Sequence, residues 1–244
     1  MKKNMWQSTE WVDAETGARW WKCRNCPAHY QLEDPPQGLK IPPKILYLDI
    51  ETSLMKVWLY DLYGERNTHI NADMLDSKRF VINWAAAWLT PEYEIKKIVS
   101  AVVTPREAVK QKDKRILRPL FELMDAADYI CGHNSRNFDV KILRWRFLFH
   151  GWGYPSKFTQ VDTLALARNT KPESRSLDFL LKQLGHAGKR HQLKSEQWRE
   201  IVEYGTPKLL NQANRYCRQD VRGGAWLLKV LANAEAQAGK VLFK

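Results

Sequence analysis

Cysteine is scarce in this chain, with four in 244 residues. One of them, Cys217, falls inside a helical pattern, and so small a number predicts a reduced, cytoplasmic protein rather than a disulfide framework. Long apolar runs are missing too. None approaches the roughly 20 residues of a membrane-spanning helix, which predicts no membrane partner. The opening Met1-Lys-Lys-Asn-Met-Trp-Gln-Ser8 has no apolar stretch of a signal-peptide kind. No internal repeat and no low-complexity tract is present. Acidic residues are the minority charge, 27 against 39 Lys and Arg, for a net +12.

What remains is a chain long enough to bury a sizeable core as one domain with a short appendage. The positive balance suits a polyanionic partner, most simply nucleic acid, although net charge also fits a generic basic protein. Eleven Trp is a high number. Indoles stack on bases, but most Trp in a globular chain serve packing.

Residues 1–40 stand apart. They hold Trp6, Trp11, Trp20 and Trp21 with polar residues between, and they end in Pro35-Pro36-Gln-Gly38. They read as a small appendage with hairpin character and a linker, before a main domain over 41–244. Cys23-x-x-Cys26, with His29 after it, is half of a zinc site. A tetrahedral structural site wants four ligands, and Cys131 and Cys217 fall in core elements. A ribbon without Zn²⁺, packed by its Trp side chains, fits the segment as well. A thioredoxin-type redox role lacks its βαβ setting.

The main domain opens on Lys44-Ile-Leu-Tyr-Leu-Asp-Ile-Glu51, an apolar run after Pro42-Pro43 that reads as a buried strand. Alternation puts Ile45, Tyr47, Asp49 and Glu51 on one face. Two carboxylates on a buried face are costly unless neutralised, and a divalent cation is the usual partner. Asp13-Ala-Glu15 has the same spacing without a strand before it and reads as a solvated turn.

Strands are also expected over 80–89 and 94–103, antiparallel across the turn at Pro91-Glu92. A single amphipathic helix is expected over 105–127, with Val109, Ile116, Leu117, Leu120, Leu123 and Met124 on one side. A short strand at 128–133 and a helix at 138–149 follow. Residues 161–167 fit a strand or a helix start. Helices come next at 176–184, stopped by Gly185, and at 195–204, with a basic loop at 188–194 between them. Thr206 is the expected N-cap and Pro207 the first position of a last helix reaching about Ala236. Strands followed by alternating helices and strands indicate an α/β domain on a mixed sheet.

Two further acidic contexts stand out. In Tyr129-Ile-Cys-Gly-His133-Asn134-Ser-Arg-Asn-Phe138-Asp139, a strand ends at Gly-His-Asn and Asp139 opens a helix. A helix-start role explains an acid there but not the run beside it. In Tyr216-Cys-Arg-Gln-Asp220, the phenol and carboxylate share a helix face within the stripe Leu209, Ala213, Tyr216, Asp220, Leu227, Leu231. A salt bridge from Arg215 or Arg218 is the structural alternative for Asp220. Asp162 reads as an Asx-turn or helix cap. Gly223-Gly224 inside the last helix costs about 1 kcal/mol each relative to Ala, which a close approach of helix to sheet would justify.

In that order, Asp49-x-Glu51, His133-Asn134 with Phe138-Asp139, and Tyr216-x-x-x-Asp220 resemble the DEDDy 3′→5′ exonucleases of the ribonuclease H-like superfamily. The resemblance covers roughly 44–232. The stretch Pro43 to Thr52 is similar to the opening of the exonuclease domain of family B DNA polymerases and their stand-alone phage relatives. The histidine branch of the superfamily would need His where this chain has Arg215. The resemblance implies a mixed five-stranded sheet flanked by helices, and hydrolysis with two Mg²⁺ or Mn²⁺ ions. Asp49, Glu51 and Asp220 would hold one ion. Asp49 would bridge to the second, with Asp139 supporting through water and Tyr216 orienting the attacking water. Thr52, His133 and Asn134 border these carboxylates. By the same resemblance, Asn134 and the Thr52 backbone would hold the terminal nucleotide. His133 fits equally as a strand-end histidine satisfied by the backbone. Arg168, Lys171, Arg175, Lys182, Lys189, Arg190 and Lys194 form the densest basic stretch, expected to track a phosphate backbone.

The expected activity is trimming of single-stranded 3′ ends to nucleoside 5′-monophosphates. DNA is favoured by the polymerase-like first motif. RNA is the close alternative, since ribonuclease D relatives share the tyrosine. A silent nucleic-acid clamp is the non-enzymatic alternative, against which all four acids and the tyrosine are present. No polymerase domain fits in the remaining length, so the expectation is either an independent enzyme or a proofreading-like partner of a polymerase or replication protein in trans. The expected location is cytoplasmic, in the host if the chain is phage-encoded.

Overall fold

The computed structural model describes residues 10–12, 19–22, 29–31, 43–59, 70–188 and 192–243. The chain divides into two compact units, Met1–Pro42 and Pro43–Lys244. In the first, β1 (Glu10–Val12), β2 (Arg19–Lys22) and β3 (His29–Gln31) form an antiparallel sheet in the order β1-β2-β3. Its register pairs Trp11 with Trp20 and Trp21 with Tyr30. Cys23 and Cys26 lie outside the described residues, so the zinc reading stays an expectation.

The second unit is built on a five-stranded mixed sheet, order β6-β5-β4-β7-β8. Its strands are β4 (Ile45–Thr52), β5 (Val81–Leu89), β6 (Ile95–Val102), β7 (Tyr129–Gly132) and β8 (Thr159–Asp162). The first three are antiparallel neighbours, and β7 and β8 add in parallel. The mixed sheet of the α/β reading is therefore observed. β4 is its central strand, and the alternation of its side chains divides the core. Leu46, Leu48 and Ile50 pack on one side, and Ile45 and Tyr47 on the other.

The helices are α1 (Pro105–Val109), α2 (Lys114–Asp125), α3 (Asp139–Phe149), α4 (Thr163–Ala167), α5 (Leu177–Gln183), α6 (Ser195–Tyr204) and α7 (Pro207–Gln237). The single helix expected over 105–127 is thus two. Thr104 opens α1 with a capping box closed by Glu107, and Gln111 turns the chain in the left-handed region at φ 53°. Asp113 stands at the start of α2, fully buried. Its carboxylate accepts bonds from Val81 N at 2.9 Å and from Arg146 at 2.7 and 2.8 Å, and His150 Nε2 lies 2.7 Å away. Val109, expected on the apolar side, is exposed. The ambiguous segment 161–167 is the end of β8 followed directly by α4.

α7 spans 31 residues, about 46 Å at 1.5 Å per residue. It crosses the sheet on the face that carries Ile45 and Tyr47, where Cys217, Val221, Ala225 and Leu228 join the same core cluster. Two features let it come close. β5 presents Ala85 and Ala87 to this cluster. A Cβ at Gly224 would lie 2.0 Å from Tyr47 Oη, and one at Gly223 would lie 2.6 Å from Leu181 Cδ1. The paired glycines therefore mark the close approach that their helix cost implied. The start of α7 is also as expected, but the Thr206 hydroxyl donates to Glu200 at 2.7 Å instead of capping the helix.

Candidate active site

The site forms where the C-terminal half of β4 passes under α7. Strand alternation brings Asp49 and Glu51 to the α7 side, and the 3.6-residue turn brings Asp220 down onto them. Each of these three residues offers a carboxylate oxygen within 4.8 Å of the others'. Asp220 is buried; Asp49 and Glu51 are half-buried. Asp49 Oδ2 is buried and makes no hydrogen bond. The Cys217 thiol, from the turn of α7 before Asp220, donates to the Asp49 carbonyl at 3.3 Å.

Electrostatics here are unfavourable as they stand. Burial, and then the charges of Asp220, Glu51 and Asp139, push the Asp49 carboxyl well above its usual range. Asp139 opens α3 beside the cluster. Its Oδ1 accepts from Ile50 N at 3.0 Å, which ties the start of α3 to the middle of β4. Burial raises it to about 7, with Asp162 and Asp220 adding and the backbone bonds opposing. Mutually repelling carboxylates, with Asp49 Oδ2 lacking a donor, fit a divalent cation: hard oxygen ligands, close together, with a bare lone-pair site. The structural alternative for Asp220 does not materialise through Arg218, whose Nη1 donates to Ser100 at 3.1 Å.

Tyr216 lies one turn before Asp220 and is buried with it on the same face of α7. Thr52 ends β4 just past a register shift at Glu51/Thr52, opposite Val81. His133 and Asn134 follow β7. The His133 ring bridges Thr163 Oγ1 at 2.9 Å and the Arg175 carbonyl at 3.0 Å. It therefore has the protein partners that the strand-end reading anticipated, and it also joins two walls of the site. Asn134 adopts the left-handed region, φ 60°. Its N–H donates to Asp162 Oδ1 at 2.8 Å, while Arg136 N donates to Oδ2 at 3.1 Å and Leu164 N to Oδ1 at 2.9 Å. Asp162 is thus the helix cap expected, and in addition it clamps the turn between β7 and α3.

A cleft of about 570 Å³ opens on this cluster. Asp49 and Asp220 line it together with His133, Asn134, Leu164, Arg168 and Arg175. Arg168 and Arg175 are exposed. Lys189 and Arg190 lie outside the described residues. Two carboxylates of the cluster and two guanidinium groups lining one cleft can bind a cation and the anionic backbone that it neutralises.

A family model described as RNase_H superfamily matches residues 46–232. This chain belongs to the RNase H superfamily. No curated protein matches it. Among solved structures, it is similar to the zinc ion bound form of an E. coli ExoI–ssDNA complex, at 14% identity and TM-score 0.47. That alignment covers 81% of this chain and 42% of the other, so the chain spans under half the length of that protein.

Within this RNase H-superfamily chain, sequence reasoning placed Asp49, Glu51 and Asp220 together and Asp139 next to them. It missed the extra work of Asp162, whose contacts reach back 26 and 28 residues, and it missed the thiol of Cys217 under Asp49. Local patterns carry no signal for either. Among the described residues, no helix is long and apolar enough to cross a membrane.

Proposed function

We propose that the chain is a metal-dependent 3′→5′ exonuclease of the DEDDy type that removes nucleoside 5′-monophosphates from single-stranded DNA. The observation that carries this reading is the convergence of Asp49, Glu51 and Asp220 within 4.8 Å, with Asp49 and Asp220 lining an open cleft that two exposed arginines also line. Asp49, Glu51 and Asp220 would hold the first of two Mg²⁺ or Mn²⁺ ions. Asp49 and Asp139 would serve the second. Bound there, such a pair supplies water activation and neutralises the charge on the leaving 3′ oxygen.

The protein's own residues do the rest. Tyr216, one turn from Asp220, orients the attacking water through its hydroxyl. Asn134 presents its amide to the terminal nucleotide from a turn that Asp162 holds rigid, with the backbone at Thr52 opposite. His133 fixes the Arg175 carbonyl and so positions the cationic wall. Arg168 and Arg175 pair with phosphates as guanidinium groups do best, by two parallel donors. Lys189 and Arg190 extend the same basic stretch along the sequence. The tyrosine branch is favoured by Tyr216 together with Arg215 at the position where the other branch needs His.

The two compact units agree with an exonuclease domain over 41–244 and a separate Trp-rich appendage over 1–40. The name of the similar solved structure includes single-stranded DNA; likeness at that level supports no choice of substrate. A polymerase in trans remains an expectation from the first motif.

The test uses 3′-labelled single-stranded DNA and RNA of one sequence with Mg²⁺, Mn²⁺ or EDTA. The label is expected to appear as a nucleoside 5′-monophosphate, faster from DNA, and not at all in EDTA. Faster release from RNA would reassign the substrate. Binding of either polymer without release would favour the clamp.

A further inference from the structure

A second groove, also of about 570 Å³, is lined by α3. One wall is the face of α3 that carries Phe138, Lys141, Trp145 and Phe149. The other is the segment after β4, with Met55, and the residues leading into β5, Lys78 and Arg79. Trp145 is 65% exposed and Phe149 55% exposed. Large aromatics left in water along a groove mark a contact surface rather than a core.

Three features identify what would fill it. Its lining includes Lys78, Arg79, Lys141 and Arg146, and no acidic residue. Arg146 is committed to Asp113. Lys78 and Lys141 are exposed, and Arg79 Nε is buried without a hydrogen-bond partner, its guanidinium 5.8 Å from the Phe138 ring centre. Cations between stackable rings select a polyanion with π-faces, as single-stranded nucleic acid is. One end of the groove lies at the start of α3: Phe138 lines it and stands immediately before Asp139, whose Oδ1 accepts from Ile50 N at 3.0 Å between Asp49 and Glu51. From Phe138 to Phe149 the helix rises about 16 Å, the length of four to five stacked nucleotides at about 3.4 Å each.

We propose that this groove holds the nucleotides upstream of the 3′-terminal one, with bases on Trp145 and Phe149 and phosphates on Lys78, Arg79 and Lys141. The proposal rests on the exonuclease reading and adds the path by which the strand leaves the site. It makes length preference a property of α3. Longer substrates reach Trp145 and Phe149; a dinucleotide does not.

The test compares kcat/KM for dT12 and for the dinucleotide dT2 in the wild-type chain and in Trp145→Ala/Phe149→Ala. The apolar core contacts of α3 come from Val140, Leu143 and Phe147, so the variant keeps them and gives up only the stacking of Arg146 on Phe149. The wild type is expected to prefer dT12, and the variant to lose that preference by about tenfold or more, as the removal of base stacking implies. A wild type without length preference, or a variant that keeps it, overturns the groove and leaves the exonuclease intact. Should neither substrate be hydrolysed, the exonuclease reading fails, and the groove is judged on anisotropy of fluorescein-labelled dT12 in EDTA. Weakened binding in the variant supports it. Unchanged binding overturns it and hands the surface to a protein partner.

Discussion

Asp49 has an oxygen in the interior with no hydrogen bond and two other carboxylates within 4.8 Å. Without a cation this arrangement opposes folding, because burial and like charges both penalise the ionised form. Asp49→Ala should therefore raise the melting temperature of the metal-free protein while abolishing turnover; a lower melting temperature would count against the cluster. Asp139 contributes to the pH dependence, in the same direction as Asp49. The folded-state pKa of Asp139, about 7, lies above the ordinary aspartate value of about 3.9, so between those values the folded chain binds the extra proton. Stability of the metal-free protein should fall as pH rises from about 4 to about 7. Asp139→Asn should flatten that fall, as followed by urea titration at several pH values. Asp49, Glu51 and Asp220 were legible because strand and helix periodicities are strict. Asp113 was not, since its partners Arg146 and His150 lie 33 and 37 residues away and no local pattern pairs them.

At the scale of elements, the decisive contact is α7 on β4. Its closeness rests on Gly224 against Tyr47, and a Cβ there would sit 2.0 Å from the phenol oxygen. Gly224→Ala should cost about 1–3 kcal/mol by overpacking, read by denaturant unfolding. It should also lower activity, because lifting α7 withdraws Asp220, one turn away. Full stability with full activity would mean that the helix has room to spare. The strand at 44–51, the hairpin pair after it and the last helix were all readable from apolar runs, Pro-Pro and Thr-Pro punctuation. The break between α1 and α2 was not. It depends on a left-handed Gln111, and no glycine or asparagine stands there to announce it.

Taken whole, the chain is a basic molecule, net +12, in which three of the 27 acids gather within 4.8 Å. Residues 43–244 contain the complete five-stranded sheet and all three hydrophobic clusters. A chain lacking Met1–Pro42 should therefore unfold cooperatively within a few degrees of the full-length protein. Loss of cooperativity on calorimetry would show that the appendage belongs to the core. The division at Pro42 lies within the Pro-rich stretch at 35–43, where the composition of the sequence changes. The role of the Trp-rich part was not, because neither the half zinc motif nor its aromatics specify a partner.

The central claim is that the carboxylate cluster hydrolyses nucleic acid from the 3′ end. The direct measurement is a time course on 5′-labelled single-stranded DNA with Mg²⁺, resolved on a sequencing gel, with Asp49→Ala alongside. The account predicts a ladder that shortens one nucleotide at a time from the 3′ end in the wild type and intact substrate in the variant. An unchanged substrate with wild-type protein, or equal laddering by the variant, would contradict it.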